Sequence, residues 1–208
     1  MGMELQISKP TRERLIRLVR LLDQLEKAGK KTVSSAEIQQ RTGWTSFTVR
    51  RDVSSLGIHC SSPAGYETSL LKDEIRRKLN LGTDEKHCCI VGLGKLGVAL
   101  AAYGGFSNST FKIDAGFDTS VNRTETLKTP FPLYTTTRME SVIKSLGIEY
   151  AILAVPENSA QEMALRLAAC GIRGIVNYTP AILRVPETTA VENLSVIDAL
   201  QNLSARES

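Results

Sequence analysis

The residues in this chain best suited to chemistry are a run of glycines and a carboxylate that follows it at a set distance. Gly92-Leu93-Gly94-Lys95-Leu96-Gly97 is a GxGxxG, and Asp118 lies about twenty residues beyond it, the separation a dinucleotide site uses. Gly92 permits a tight turn, Gly94 lets the backbone approach a pyrophosphate, and Gly97 lets a helix pack closely on a strand. A helix starting in this run offers free N–H groups and the positive end of its dipole to phosphates. Asp118 is placed to accept both ribose hydroxyls of an adenosine and to repel a 2′-phosphate, which favours NAD(H) over NADP(H). Arg123 follows closely and relieves that repulsion if it folds back onto the acid.

The surrounding pattern supplies the elements such a site requires. Cys88-Cys89-Ile90-Val91 is an apolar run of the kind a strand buried on both faces needs. Leu96, Val98, Ala99, Leu100 and Ala102 suit a helix packed on a sheet, and residues 111–117 form a second strand ending at Asp118. Residues 121–132 are expected to be a polar loop, with a short extended piece at 131–134. A helix over 137–146 stops at Gly147, and a buried strand over 150–155 runs into Pro156. Then come a helix over 159–170, a strand over 174–177, a strand over 189–194 and a short helix over 195–203. The alternation predicts an open, mainly parallel Rossmann-type sheet with right-handed crossovers. In such a sheet ligands lie at the C-terminal strand ends.

The first third carries a different chemistry. The chain has a formal net charge of +4; residues 1–80 hold fifteen Lys and Arg against nine Asp and Glu, and the remainder is slightly acidic. That asymmetry points to an anionic partner for the first part only. Residues 10–28 are amphipathic, with Leu15, Leu18, Val19, Leu22 and Leu25 in one stripe and Arg12, Arg14, Arg17 and Arg20 on other faces. Ser34 and Glu37 have capping-box spacing, Thr42-Gly43-Trp44 makes a turn, and Thr45 opens a helix reading SFTVRRDVSSL. A short helix, a glycine-containing turn and a second helix form a helix-turn-helix. It sets Ser46, Phe47, Thr48 and Arg50 near base edges, and Arg51 and Lys9 nearer to phosphates. Residues 58–67 suit the hairpin wing of a winged helix. Residues 69–79 form a further helix with Leu70, Leu71, Ile75 and Leu79 on one side. Domains are expected at 1–81 and 82–208.

No apolar run approaches the roughly 20 residues of a membrane span, and no signal peptide is evident, so the expected compartment is the cytoplasm. The four cysteines, Cys60, Cys88, Cys89 and Cys170, contain no CxxC pair and read as small apolar residues, with a thiol switch at Cys60 the alternative. They form no metal set with His59 and His87. Hydride transfer to a carbonyl needs a general acid beside the nicotinamide. His87 starts the first strand and His59 lies in the wing, so no enzyme is expected, although Tyr103 and Tyr178 are phenols of the right type.

The chain resembles the Rex family of redox-sensing transcriptional repressors over almost its whole length. The resemblance is carried by ISKPTRERLIRLVRLL, VSSAEI, FTVRRDVSSLG, CIVGLGKLG, AAYGGF, AILAVPENSAQEMALRLAACGIRGIVNYTP, Val185-Pro186 and AVENL. It implies a homodimer with winged-helix and Rossmann domains and C-terminal helices swapped between subunits. Such a dimer holds inverted-repeat operators in double-stranded DNA when NAD+ dominates and releases them as NADH rises. It further implies that the nucleotide contacts Gly92 to Gly97, Asp118, Val155-Pro156 and Asn177-Tyr178-Thr179-Pro180. Tyr103 matches a tyrosine that reports the nicotinamide state, and Arg20 an arginine in the same redox-dependent network. This sequence departs from the family pattern in carrying Ser195 where an acid follows VEN, Val196 for an aromatic, and Ser120 for a second acid. Its wing has no Lys or Arg, and its tail is short. An alternative function is therefore a Rex-like paralogue with weak NAD+/NADH discrimination.

Overall fold

A computed structural model describes residues 7–58, 61–62 and 65–205 of the chain. It separates into two compact units, Met1–Thr83 and Asp84–Ser208.

In the first unit the helix α1 (Lys9–Lys27) starts under Ser8, whose Oγ accepts the Thr11 N–H, and buries the stripe Leu15, Leu18, Val19, Leu22 and Leu25. After β1 (Thr32–Val33) comes α2 (Ser35–Thr42), capped by Ser34 and ended by Gly43 at φ 76°. The Glu37 carboxylate, expected to complete a reciprocal capping box, instead accepts from Lys30 at 2.6 Å and Arg41 at 3.1 Å. Those partners hold it ionised, with a pKa below the usual carboxylate range. α3 (Ser46–Ser55) starts under Thr45, and α4 (Thr68–Lys78) closes the unit. Between them β2 (Ser61–Ser62) and β3 (Gly65–Glu67) form an antiparallel hairpin, and β1 extends it to a sheet of order β1-β3-β2. At Gly65 the backbone runs so close to the Val33 carbonyl that a Cβ would sit 2.6 Å from its oxygen. His59 and Cys60, expected in the wing, lie outside the described residues.

Two side chains in this unit differ from the sequence expectation. Leu70 is exposed, and α4 buries Thr68, Leu71 and Ile75 instead. Arg14 is turned inward from the basic face. Its Nε donates to Asp52 Oδ2 at 2.6 Å and its Nη2 to Oδ1 at 3.0 Å. Asp52 is buried on α3, so this forked pair pins α3 to α1. A buried carboxylate is tolerated only with such a partner.

The second unit is a six-stranded sheet, every strand parallel, in the order β6-β5-β4-β7-β8-β9. The strands are β4 (Lys86–Val91), β5 (Phe111–Asp118), β6 (Leu133–Thr135), β7 (Tyr150–Leu153), β8 (Gly174–Asn177) and β9 (Ala190–Asn193). β4 is central, flanked by β5 and β7, and its Cys88 to Val91 are buried. Cys89, Val91, Phe117 and Leu153 pack with residues of α7 (Met139–Leu146) and α8 (Glu157–Ala169). Ile90, Leu93 and Ile152 belong to a second cluster that includes Ala101 of α5 (Lys95–Ala101). The stretch expected to be a polar loop opens with α6 (Val121–Thr126), started by Ser120, whose Oγ accepts the Arg123 N–H. The last helix, α9 (Val196–Ser204), begins under Ser195. No helix among the described residues is long and apolar enough to cross a membrane.

Candidate functional site

The switch point of the strand order lies between β4 and β7, and a cleft opens at their C-terminal ends. β4 ends at Val91 and the chain turns at once. The Gly92 N–H donates to the Phe117 carbonyl at 2.8 Å, and Gly92 adopts φ 96°. A Cβ there would lie 2.5 Å from the Ala154 oxygen, and one on Gly97 would lie 1.8 Å from the Gly92 oxygen. Neither position admits a side chain without moving backbone. The turn delivers α5, whose start at Gly94 carries no side-chain cap, leaving its first-turn N–H groups for a ligand.

The cleft holds about 510 Å³ and gathers Gly92, Gly94, Lys95, Leu96, Asp118, Val155 and Pro156, as the sequence led one to expect. Leu96 faces this space rather than the sheet and is exposed. Leu93 is buried, and its backbone serves the site by donating to Asp118 Oδ2 at 2.8 Å. Asp118 is only 4 % exposed. Its other oxygen accepts the Ser120 N–H at 2.8 Å, and Arg123 does fold back, with Nη1 3.3 Å from Oδ2. The acid is thus held in one orientation and charge-balanced by the chain itself. Thr136, Ser159 and Met163 also line the cleft. Thr136 sits just past β6, Ser159 in the first turn of α8 and Met163 one turn on, and sequence reasoning passed over them because none has a motif of its own.

Asn177 to Pro180 are not among the residues lining this cleft. Asn177 is buried at the end of β8, where its Nδ2 donates to Ala181 O and Asn193 Oδ1, both at 2.9 Å. Its Oδ1 accepts from the Thr179 N–H at 3.0 Å and Oγ1 at 2.7 Å. It ties the turn through Pro180 to the edge strand β9. Tyr178 turns toward an apolar hollow of about 490 Å³ that also includes Tyr103, Ile152, Val176, Val191 and Leu194. Cys88 borders the hollow, and burial, with the charges of Asp114 and Glu149 adding to it, pushes its thiol up to about 12. Burial pushes Cys89 up as well. Both are inert neutral thiols at physiological pH.

On α3, Phe47 is 67 % exposed and Arg50 and Arg51 are exposed beside it. The Ser46 hydroxyl donates to Gln39 Oε1 at 2.7 Å, and Thr48 Oγ1 lies 2.9 Å from Thr45 Oγ1. Arg50 donates from one nitrogen to Ser35 Oγ at 3.0 Å. Lys9 opens α1 and is exposed. Of the residues expected in a redox network, Arg20 is exposed on α1 in the first unit. Tyr103 and Ser195 belong to the second. Tyr103 is exposed and meets Phe106 edge-on at 5.8 Å, while Ser195 Oγ accepts the Asp198 N–H at 3.0 Å. His87 donates to or accepts from Asp114 at 2.7 Å early in β4, the strand end opposite the glycine turn. Among the described residues no three His, Cys, Asp or Glu converge as metal ligands.

Comparison with known proteins matches residues 6–54 to the family model "Putative DNA-binding protein N-terminus" and residues 83–181 to the model "CoA binding domain". The redox-sensing transcriptional repressor Rex of Exiguobacterium sp. is 36% identical over 201 residues, covering 96% of this chain and 91% of that protein. Rex of Listeria welshimeri is 33% identical over 198 residues, covering 95% and 92%. Among solved structures, that of RSP in complex with β-NAD+ and operator DNA superposes with a TM-score of 0.87 at 31% identity, covering 96% of this chain and 92% of RSP. RSP with β-NADH gives 0.84 at 31% identity, covering 97% and 94%.

Proposed function

This chain belongs to the Rex family of redox-sensing transcriptional repressors, and we propose that its two units divide the family's work as follows. The protein is a DNA-binding repressor that senses NADH against NAD+ and releases operator DNA when NADH rises. The first unit binds the duplex with Ser46, Phe47, Thr48 and Arg50 toward bases and with Arg51 and Lys9 toward phosphates. The second takes NAD(H) with the pyrophosphate on the turn from Gly92 to Gly97 and the adenosine ribose at Asp118. Val155 and Pro156 wall the cleft, and the turn from Asn177 to Pro180 positions Tyr178 from outside it. The observation that carries this assignment is the uncapped start of α5 at a glycine turn whose neighbouring strand ends in a buried, pre-oriented carboxylate. Operator binding titrated separately with NAD+ and NADH tests it. NADH should weaken binding where NAD+ does not, and equal effects would overturn the redox role.

A homodimer fits the second unit. The apolar hollow on the sheet lacks the helices that cover the opposite face, and α9 exposes Val196, Ile197, Leu200 and Leu203. Placing α9 of a second copy over the hollow buries both surfaces. Two-fold symmetry then sets two recognition helices roughly 34–36 Å apart, one turn of an inverted-repeat operator. Analytical ultracentrifugation of Leu200→Asp, expected to be monomeric, checks this. With the DNA as its partner the protein belongs in the cytoplasm. Its relatives are transcriptional regulators, and we read it as a regulator rather than an enzyme.

One observation favours the alternative of weak redox discrimination. Ser195 stands where the family pattern has an acid, and its hydroxyl is committed to capping α9. A neutral residue cannot give Arg20 a charge-assisted bond, which is about twice as strong as a neutral one. A ligand shifts a two-state equilibrium only by its differential affinity. Ser195→Asp keeps a capping residue and should enlarge the NADH effect about tenfold; no change would remove Ser195 from the Arg20–Tyr103 network.

A further inference from the structure

We propose that Phe47 reads the 5-methyl group of a thymine in the major groove, so that this protein's sequence preference rests on apolar contact at that position. The proposal rests on the DNA-binding assignment of α3. N-terminal residues of a recognition helix are the ones that reach base edges. Four such residues start this helix, and three have polar groups already engaged. Ser46 donates both its hydroxyl and its N–H to Gln39 Oε1, Thr48 is hydrogen-bonded to Thr45, and Arg50 spends one nitrogen on Ser35.

Phe47 differs from them. It is 67 % exposed, belongs to neither the core cluster of this unit nor the residues packed against it, and sits at the second position of α3. An aromatic ring left in water at that position has no role in stabilising the fold, while the core of the unit is complete without it. Among base edges in the major groove, only thymine presents a methyl group, and phenylalanine is one of the side chains that contact it. Arg51, exposed on the same helix, and Lys9, exposed at the start of α1, supply the attraction to phosphate that brings the ring to the groove.

The test starts from a duplex that the full-length protein selects from a random-sequence pool. Each thymine is then replaced in turn by uracil, which removes the methyl group alone. One thymine in each half-site should prove sensitive, with affinity falling about fourfold per half-site, the factor for burying one methyl-sized group. Phe47→Ser should lose the same factor on the thymine duplex and be indifferent to uracil, whereas Phe47→Leu should keep part of the sensitivity. If no thymine is sensitive, or if Phe47→Ser weakens thymine and uracil duplexes equally, the methyl contact is excluded. Loss of binding with Phe47→Ser without uracil sensitivity would instead make the ring a wedge between base steps. Binding to no duplex at all would defeat the DNA-binding assignment itself.

Discussion

The two helices proposed to meet anionic partners, α3 and α5, start in opposite ways. α3 begins under the Thr45 hydroxyl, which accepts the Thr48 N–H at 3.1 Å. α5 begins at Gly94 with no side-chain cap. A capped helix is complete alone and must address its partner with side chains, which differ in shape and so distinguish one sequence from another. An uncapped helix leaves its N–H groups to the ligand. In the proposed nucleotide site it would hold the phosphate common to all nucleotides and pass discrimination to its neighbours, here Asp118 and Arg123.

The contrast breaks most visibly at Gly97. Its Cβ would enter the Gly92 carbonyl, so Gly97→Ala should displace the glycine turn and lower NADH affinity roughly a hundredfold, about 3 kcal/mol of binding free energy. Fluorescence titration with NADH measures this. Unaltered affinity would mean that close helix–strand packing is not what opens α5 to phosphate. On the other side, Arg14→Ala strands the Asp52 carboxylate in the first unit. Arg14 is itself partly exposed, so the loss should be about 2 kcal/mol, read as a lower urea midpoint for that unit with NADH binding preserved.

Two smaller changes sharpen the contrast. Arg123→Ala uncovers the Asp118 charge and should widen the preference for NADH over NADPH about tenfold, or ~1.4 kcal/mol. An unchanged ratio in calorimetry would take Arg123 out of the ribose end of the cleft. Thr45→Ala removes the cap of α3 at about 1 kcal/mol. It should weaken operator binding severalfold and leave NADH affinity untouched, with Thr45→Ser restoring the loss. If both ligands suffered alike, the two helix starts would not be independent.

The glycine turn and the acid beside it were legible in sequence because they are backbone requirements. Gly92 and Gly97 are positions where only glycine fits, and Asp118 ends a strand whose apolar run announces it. The capped helices were legible for the same reason, since Ser34 and Thr45 act on N–H groups three residues away. What escaped depends on neighbours distant in sequence. Nothing local says that Arg14 finds Asp52, thirty-eight residues on, or that Leu70 faces solvent while Leu71 is buried. α6 escaped because VNRTET buries none of its residues, leaving no periodicity to read and only the Ser120 cap as a signal. Asn177 was expected beside the nucleotide, whereas its amide is consumed by Thr179, Ala181 and Asn193, bonds that only the fold brings together.

The place of β4 at the centre of the sheet sets an order of events during synthesis. Its partner β7 pairs Tyr150 with Cys88, so the central strand leaves the ribosome well before its second neighbour. At about 5–20 residues per second the first unit, whose contacts close within residues 7–83, has several seconds in which it can fold while the sheet is still incomplete. A chain at that stage has its first unit complete, while the cleft at the ends of β4 and β7 does not yet exist.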